Sequence, residues 1–306
     1  MQRQSFDLLI LGSSSAAPTT KRNPSAQLLN VAERFFLIDC GESTQIQLRK
    51  YKTKFQKIDH IFISHLHGDH FLGLPGFLSS MHLLGRKQPL TLYCPKELKG
   101  IIDLINTVSD TRLNYEIKWH FTKNDGLNLL FEDEKVQVFS FPMKHRIFCT
   151  GFLFKEKPLL RKIDKDELDK NKISTAEINN LRHGLDVINE DGKKIKNKEV
   201  TIDPEPPRSF AYCSDTIYDE DILKYIKGVD LLYHESTFLN DKAGRAKETY
   251  HSTAEQAAKI AKAGKVKQLL LGHYSARYPD LEPFLLEAGS FFKDVLLATE
   301  GKKVKI

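Results

Sequence analysis

The sequence predicts an α/β protein in which two β-sheets pack face to face with helices on the outside. Apolar runs typical of strands form two groups, one before residue 155 and one after residue 207, and each group passes into alternating strands and helices. The length of 306 residues, with 41% hydrophobic and 28% charged residues, suits a globular chain with a substantial core. We therefore predict a single domain over residues 1–306.

In the first group, short apolar runs bounded by Gly or polar residues predict the strands. These strands are Phe6–Gly12, Ala26–Val31, Arg34–Asp39, Ile58–Ile63, Leu90–Cys94, Tyr115–Phe121 and Val136–Phe141. Apolar residues at helical spacing predict helices over Glu42–Tyr51, Phe71–Gly85 and Leu98–Val108.

The second group follows the same rules. Its predicted strands are Arg208–Asp215, Leu231–His234, Lys267–His273 and Val295–Thr299, and its predicted helices are Asp219–Ile226, Ser252–Ala263 and Leu281–Phe292.

The segment between the groups, residues 155–198, is dense in charge and poor in aromatic residues. Short helices are predicted around Lys165–Lys170 and Thr175–Arg182, but the segment has little to bury and should project from the body. It is either a solvated surface insertion, which composition alone favours, or an arm that touches a partner.

Bulk properties narrow the class of protein. The formal charge of +6 permits a polyanionic partner without demanding one. No apolar run approaches the roughly 18 residues of a membrane span. The four widely spaced cysteines fit buried free thiols in a reducing compartment, so we expect a cytoplasmic protein without membrane association.

The strongest chemical signal is the turn that follows the strand Ile58–Ile63. The chain has 11 histidines in 306 residues, yet three fall within residues 65–70, which hold His65, His67, Asp69 and His70. Imidazole and carboxylate groups are the ligands of zinc and similar metals. Histidines can also cap strands or form hydrogen bonds within a core. That interpretation does not explain why four coordinating groups are clustered here.

Three further coordinating residues stand at the carboxyl ends of apolar strands: His145, Asp215 and His273. Strand ends lie at the rim of a sheet, where loops converge on a shared cleft. Each residue alone would be an ordinary loop residue. Together with the turn they supply seven ligands, enough for two metal ions that share a bridging carboxylate.

These motifs resemble the metallo-β-lactamase superfamily, whose fold is an αββα sandwich of two mixed sheets. Within it, the combination resembles the ribonuclease Z family, endonucleases that mature the 3′ end of precursor tRNA. The resemblance is carried by Leu11-Gly-Ser-Ser-Ser-Ala-Ala-Pro-Thr, Arg22-Asn-Pro-Ser, the block Ser64–Gly76, Tyr212-Cys-Ser-Asp-Thr, His234-Glu-Ser-Thr, the block His251–Ala258 and Gly272-His-Tyr-Ser-Ala-Arg-Tyr, in this order.

The resemblance implies two zinc ions per subunit. One would be bound by His65, His67, His145 and Asp215, and the other by Asp69, His70, Asp215 and His273. Such a pair activates water and neutralises a phosphodiester during in-line displacement. The expected products are a tRNA with a 3′-OH and a trailer with a 5′-phosphate.

The resemblance also implies roles in proton transfer. Asp69 would accept a proton from the attacking water, and His251, oriented by Glu235, would donate one to the leaving ribose oxygen. Without the resemblance, His251 would be taken as the residue that precedes a helix N-terminus. Arg277 suits a phosphate or base contact, and equally a surface ion pair.

The resemblance further implies that residues 155–198 are an arm that grips tRNA, and that the protein is a homodimer whose arm serves the partner's cleft. Family arms carry a Gly-Pro pair where this chain has Ile173-Ser-Thr-Ala-Glu-Ile-Asn. Two alternatives stay open: a zinc phosphodiesterase or other hydrolase of the same fold that acts on small substrates such as cyclic nucleotides, and a non-catalytic nucleic-acid-binding zinc module. Structural zinc sites are usually closed and cysteine-rich, which disfavours the second.

Overall fold

The computed structural model describes residues 4–306 and divides the chain into two compact units. The first, the body, combines Met1–Lys155 with Arg208–Ile306, and the second, the arm, is Glu156–Pro207. The predicted arm, 155–198, begins at nearly the same residue and ends earlier.

The body contains two seven-stranded mixed sheets. The first has the order β20-β1-β3-β4-β5-β6-β7, with β1 Phe6–Gly12, β3 Ala26–Val31, β4 Arg34–Ile38, β5 Ile58–Phe62, β6 Leu90–Cys94, β7 Ile117–Phe121 and β20 Lys303–Lys305. The second has the order β19-β17-β16-β15-β10-β9-β8, with β8 Asn128–Glu132, β9 Val136–Pro142, β10 Thr150–Glu156, β15 Ser209–Cys213, β16 Leu231–Glu235, β17 Gln268–Gly272 and β19 Val295–Leu297. The short strands β2 Ser14–Ser15 and β18 Tyr274–Ser275 form a separate parallel pair.

The described residues of the body also form eight α-helices. They are α1 Thr44–Lys50, α2 Gly68–Phe71, α3 Leu74–Leu83, α4 Glu97–Val108, α8 Leu223–Ile226, α9 Ala243–Thr249, α10 Ala254–Ala263 and α11 Glu282–Gly289.

Three apolar layers follow from these elements. The inner faces of both sheets meet in one core, where Phe36 and Phe62 of the first sheet join Phe210 and Tyr212 of the second. Helices α3 and α4 cover the outer face of the first sheet, and α10 and α11 cover that of the second. The predicted αββα sandwich is confirmed.

The arm has a small core of its own. Six apolar side chains are buried in it: Leu168, Ile173, Leu181, Val187, Ile195 and Val200. Its elements are β11 Lys162–Ile163 paired with β14 Thr201–Ile202, β12 Val187–Ile188 paired with β13 Lys194–Ile195, and the helices α5 Lys165–Lys170, α6 Ile178–Arg182 and α7 Asn197–Val200. The expectation that this segment has little to bury therefore understates its order, because widely spaced apolar residues converge only in the folded unit.

Among residues 4–306, no helix combines the length and the apolar character required to cross a bilayer. All four cysteines, Cys40, Cys94, Cys149 and Cys213, are free and buried.

Candidate metal centre and active site

Parallel strands direct the site residues to one edge of each sheet. In the first sheet β4, β5 and β6 run parallel, and the turn after β5 carries His65, His67, Asp69 and His70. In the second sheet β15, β16 and β17 run parallel, so that Asp215, Glu235 and His273 all lie at or just beyond carboxyl ends. Ligand sites of α/β sheets form at such ends.

The first ligand group consists of His65, His67, His145 and Asp215. The Nδ1 atom of His67 lies 3.1 Å from Nε2 of His65 and 3.1 Å from Nε2 of His145. Oδ2 of Asp215 lies 3.5 Å from His65 Nε2 and 3.8 Å from His145 Nε2. Four ligand atoms about 2.0–2.1 Å from a tetrahedral zinc ion are about 3.3–3.4 Å apart, which is close to this spacing.

The second ligand group consists of Asp69, His70 and His273, with the other oxygen of Asp215. His70 Nε2 lies 3.3 Å from His273 Nε2, 3.4 Å from Asp69 Oδ2 and 3.4 Å from Asp215 Oδ1. His273 Nε2 lies 3.3 Å from Asp69 Oδ2 and 3.2 Å from Asp215 Oδ1. These distances also match the edges of a tetrahedron around one ion.

Asp215 belongs to both groups. Its Oδ2 atom faces the first group and its Oδ1 atom the second. Oδ1 is buried and accepts no hydrogen bond from the described residues. A buried carboxylate oxygen without a donor is costly unless a cation balances it. The residues present therefore fit a pair of metal ions that share Asp215.

The pKa values of the first group suit metal ligands, which must be unprotonated imidazoles. Burial, with the nearby charge of His70, lowers the pKa of His65 to about 4. Burial also lowers the pKa values of His67 and His145.

In the second group, the carboxylates of three aspartates surround His70. Burial would lower the pKa of His70, but the carboxylates of Asp69, Asp215 and Asp39 raise it well above its ordinary value. Burial would raise the pKa of Asp69, but His70 and His273 hold it well below its ordinary value. The carboxylates around His70 favour positive charge at that position, and Asp69 is held in its ionised form, the form in which a carboxylate can bind a cation.

Asp39 is a buried supporting residue that the sequence analysis did not single out. Its Oδ2 atom lies 2.7 Å from His70 Nδ1 and accepts a 2.7 Å hydrogen bond from the Tyr212 hydroxyl. Its Oδ1 atom accepts the backbone N–H of Ser64. A carboxylate behind a histidine ligand fixes the ring orientation. Asp39 follows β4 directly, so the strand-end signal that identified Asp215 could have found it.

His251 and Glu235 form the predicted pair. His251 Nδ1 lies 2.9 Å from Glu235 Oε1 and 3.2 Å from the Thr237 hydroxyl. Glu235 is fully buried and accepts hydrogen bonds from the backbone N–H groups of Thr216 and Thr237. Burial would lower the pKa of His251, but the charge and hydrogen bond of Glu235 raise it to about 9. His251 is therefore a protonated side chain beside the ligand groups, and its Nδ1 is already engaged.

A pocket of about 580 Å³ gives access to the ligands. His67, Asp69 and His251 line it, together with two arginines, Arg146 and Arg245. Neither arginine was predicted, because isolated arginines beside a histidine or within a polar helix give no distinguishing sequence signal. Arg146 lies close to the first group, with a guanidinium nitrogen 3.4 Å from His67 Nε2.

Arg277 is exposed and lies over the ring of Phe238, with its guanidinium carbon 5.5 Å from the ring centroid. It is not among the residues that line the pocket around the ligands. Its contact with substrate stays a prediction.

Known protein families and a solved structure resemble this chain over most of its length. The family model described as "Anti-Pycsar protein Apyc1" matches residues 6–157, and that described as "Beta-lactamase superfamily domain" matches residues 169–274. The crystal structure of human tRNase Z, short form, superimposes with a TM-score of 0.71 and 28% identity, covering 97% of this chain and 98% of that one. The αββα fold and the His/Asp site define a member of the metallo-β-lactamase superfamily.

Two curated relatives narrow the class. A ribonuclease Z of Cytophaga hutchinsonii is 50% identical over 297 residues, which cover 97% of this chain and 95% of the relative. A ribonuclease Z of Parabacteroides distasonis is 42% identical over 301 residues, covering 98% and 99%. The chain belongs to the ribonuclease Z family.

Proposed function

We propose that this chain is a zinc-dependent endoribonuclease that removes the 3′ trailer from precursor tRNA, leaving a 3′-OH on the tRNA and a 5′-phosphate on the trailer. The observation that carries the proposal is the pair of ligand groups joined by Asp215, with the charged His251–Glu235 pair beside them. Full-length similarity to ribonucleases Z supports the choice of substrate.

Each of the proposed residues has a defined task. His65, His67, His145 and Asp215 would hold one zinc ion, and Asp69, His70, Asp215 and His273 the second. When bound, the two ions supply Lewis acidity to the phosphodiester and lower the pKa of water. The seven proposed ligands come from both sheets, so the packing of the sheets would hold both ligand groups in place before the substrate binds.

Proton transfer falls to Asp69 and His251. The backbone N–H of Ala16 donates a 2.7 Å hydrogen bond to Asp69 Oδ2, which fixes the carboxylate at the pocket wall. It would accept the proton of the attacking water. Because Nδ1 of His251 is engaged by Glu235, Nε2 is the atom that would donate a proton to the leaving ribose oxygen.

The arm supplies the proposed tRNA contact. Lys193, Lys194, Lys196 and Lys198 are all exposed within six residues of the arm, a density suited to phosphates. Lys194 is 3.2 Å from Asp186, whereas Lys193, Lys196 and Lys198 offer further cations. Changing these three to Glu should weaken binding of full-length precursor and spare hydrolysis of a small aryl phosphodiester.

The homodimer is also part of the proposal. Large apolar side chains are exposed near the carboxyl ends of α3 and α4: Leu83 is 80% exposed, Leu104 63% and Val108 76%. The end of α3 also contacts the segment after α4, because the N–H of Asn114 donates to Nδ1 of His82. Leu83→Asp should convert a dimer to a monomer in light scattering, and a monomeric unsubstituted protein would contradict the homodimer. The cytoplasmic location stays a prediction.

The decisive experiment incubates purified protein with a 3′-extended precursor tRNA, with and without a chelator, and identifies the new ends. Cleavage at the trailer junction that is lost with chelator and restored by zinc is expected. Hydrolysis of small or cyclic nucleotides without precursor cleavage would instead support a phosphodiesterase of the same fold.

A further inference from the structure

A second pocket lies next to the metal-ligand turn. It has a volume of about 670 Å³, and its walls are mostly apolar, with Leu66, Phe121, Ile147 and Phe148 among them. Phe121 is 45% exposed, Phe148 38% and Ile147 36%. Pockets that bind small organic groups are of this size and character.

Several residues that line this pocket are neighbours in sequence of the proposed metal ligands. Leu66 stands between the ligands His65 and His67, and Ile147 and Phe148 follow His145 and Arg146. A hydrogen bond of 3.1 Å from the Thr150 N–H to the Ser64 carbonyl ties the second segment to the first. A molecule bound in this pocket would therefore contact the same two segments that carry the proposed metal ligands.

The third wall comes from the carboxyl ends of parallel strands. β5, β6 and β7 are consecutive neighbours, and Phe121 is the last residue of β7. The Thr122 N–H donates to the Cys94 carbonyl, which continues the β6–β7 pairing to the pocket. Because neighbouring strands are about 4.8 Å apart, the end of β7 lies about 10 Å from the end of β5. This is the scale of a nucleotide adjoining the metal centre.

The polar groups around the pocket suit a nucleotide. Arg146 precedes Ile147 and lines the first pocket, which gives access to the proposed metal ligands. Its guanidinium can therefore pair with a phosphate that lies between the two pockets. Lys96 and Glu97 are exposed residues of the apolar pocket, where they can hydrogen-bond the edge of a base. Aromatic rings accept any base by stacking.

We propose that this pocket binds one unpaired nucleobase of the RNA, next to the scissile phosphate, against the rings of Phe121 and Phe148. The proposal rests on the proposed function, since it assumes a single-stranded RNA segment at the metal centre. The pocket would position this RNA segment, and Phe121 and Phe148 would contact its base.

The test compares Phe121→Ala and Phe148→Ala with the control Leu129→Ala, which removes a 51% exposed side chain from β8, the edge strand of the other sheet. Loss of a base-stacking ring should raise KM for precursor tRNA about 10-fold and leave kcat for precursor tRNA unchanged. Because both rings are partly exposed, thermal unfolding should move little.

Precursors with a single abasic nucleotide on either side of the cleavage point identify the base. At one position, the abasic substrate should show the raised KM with unsubstituted protein and no further rise with Phe148→Ala. Two results would overturn the inference. One is an equal KM for the unsubstituted protein and all variants; the other is a Phe148→Ala variant that raises KM equally for the intact precursor and for every abasic precursor. If the unsubstituted protein fails to cleave precursor, the proposed function itself fails, and the two results are distinct.

Discussion

The two ligand groups share one carboxylate but differ in what stands behind them. In the first group the second nitrogen of His145 meets the Tyr250 carbonyl and that of His67 meets the Arg146 guanidinium. In the second group His70 is backed by the Asp39 carboxylate and His273 Nδ1 by the Thr237 hydroxyl, 2.9 Å away.

The two positions therefore differ in the charge of the groups behind their histidines. A carboxylate behind a histidine raises its basicity, whereas a guanidinium beside one disfavours a nearby cation. We therefore expect the second group to bind its zinc ion more tightly. The same group is joined to the proposed acid, since Thr237 contacts both His273 and His251.

The largest expected effect comes from the shared ligand. Asp215→Ala should lower zinc content from two ions to fewer than one and reduce precursor cleavage about 1,000-fold or more, because both groups lose a ligand. Elemental analysis and single-turnover cleavage measure the two quantities.

His67→Ala is the matched comparison, because it removes a ligand of the first group alone. It should abolish cleavage while one zinc ion is retained, and circular dichroism should show an intact fold. Two retained ions in Asp215→Ala would break the assignment of Asp215 to both groups.

The proposed acid gives the next effect. His251→Ala should reduce kcat about 100-fold. Glu235→Gln should move the alkaline limb of the pH–rate profile to lower pH. The pKa of His251 is raised by Glu235, so the protonated acid is lost at a lower pH when that charge is removed. An unshifted limb in Glu235→Gln would separate His251 from the proton transfer.

The buried support of the second group comes third. Asp39→Asn should weaken binding of one zinc ion about 10- to 100-fold, although Asp39 would not touch the metal. Tyr212→Phe is the control, since it removes a hydroxyl that donates to Asp39 and leaves the carboxylate in place. Competition with a fluorescent chelator measures both. Equal weakening by the two variants would assign the effect to the network and not to the Asp39 charge.

The smallest effect concerns Arg146. Arg146→Ala should strengthen zinc binding at the first group about two- to threefold, since a positive charge beside His67 is removed and its interaction is screened by solvent. A chelator titration that follows the weaker of the two ions tests this. Weakened binding would mean that Arg146 positions His67 instead of opposing its cation.

Strand positions were predictable where apolar runs were bounded by sharp stops. Phe6–Gly12, Ala26–Val31 and Leu90–Cys94 are observed with the predicted bounds. The helix predicted over Phe71–Gly85 corresponds to α3, which begins later, at Leu74, and a separate short helix that was not predicted, α2, ends at Phe71. Gly73 lies between them, where an added Cβ would meet the Gly41 carbonyl oxygen at 2.0 Å. Such a contact between distant segments has no local signal.

Several elements were missed, among them β10 and β20, and the reasons are identifiable for β8 and α9. β8, Asn128–Glu132, is an edge strand whose side chains are exposed or only partly buried, and its apolar run, Leu129 to Phe131, is only three residues long. α9, Ala243–Thr249, buries only Ala246 and has no apolar periodicity. Both are stabilised by their neighbours more than by their own composition.

The sequence alone predicts seven candidate metal ligands, because each is a strand-end or turn residue whose type and place are local features. The folded structure is needed to show that Asp215 directs one carboxylate oxygen to each ligand group. It also shows that Asp39, Thr237 and Arg146 stand behind the candidate ligands, and that aromatic residues at the end of β7 and after His145 share one pocket. This is because the ability to bind a metal belongs to single residue types, whereas distances and electrostatic fields arise between residues that are far apart in the chain.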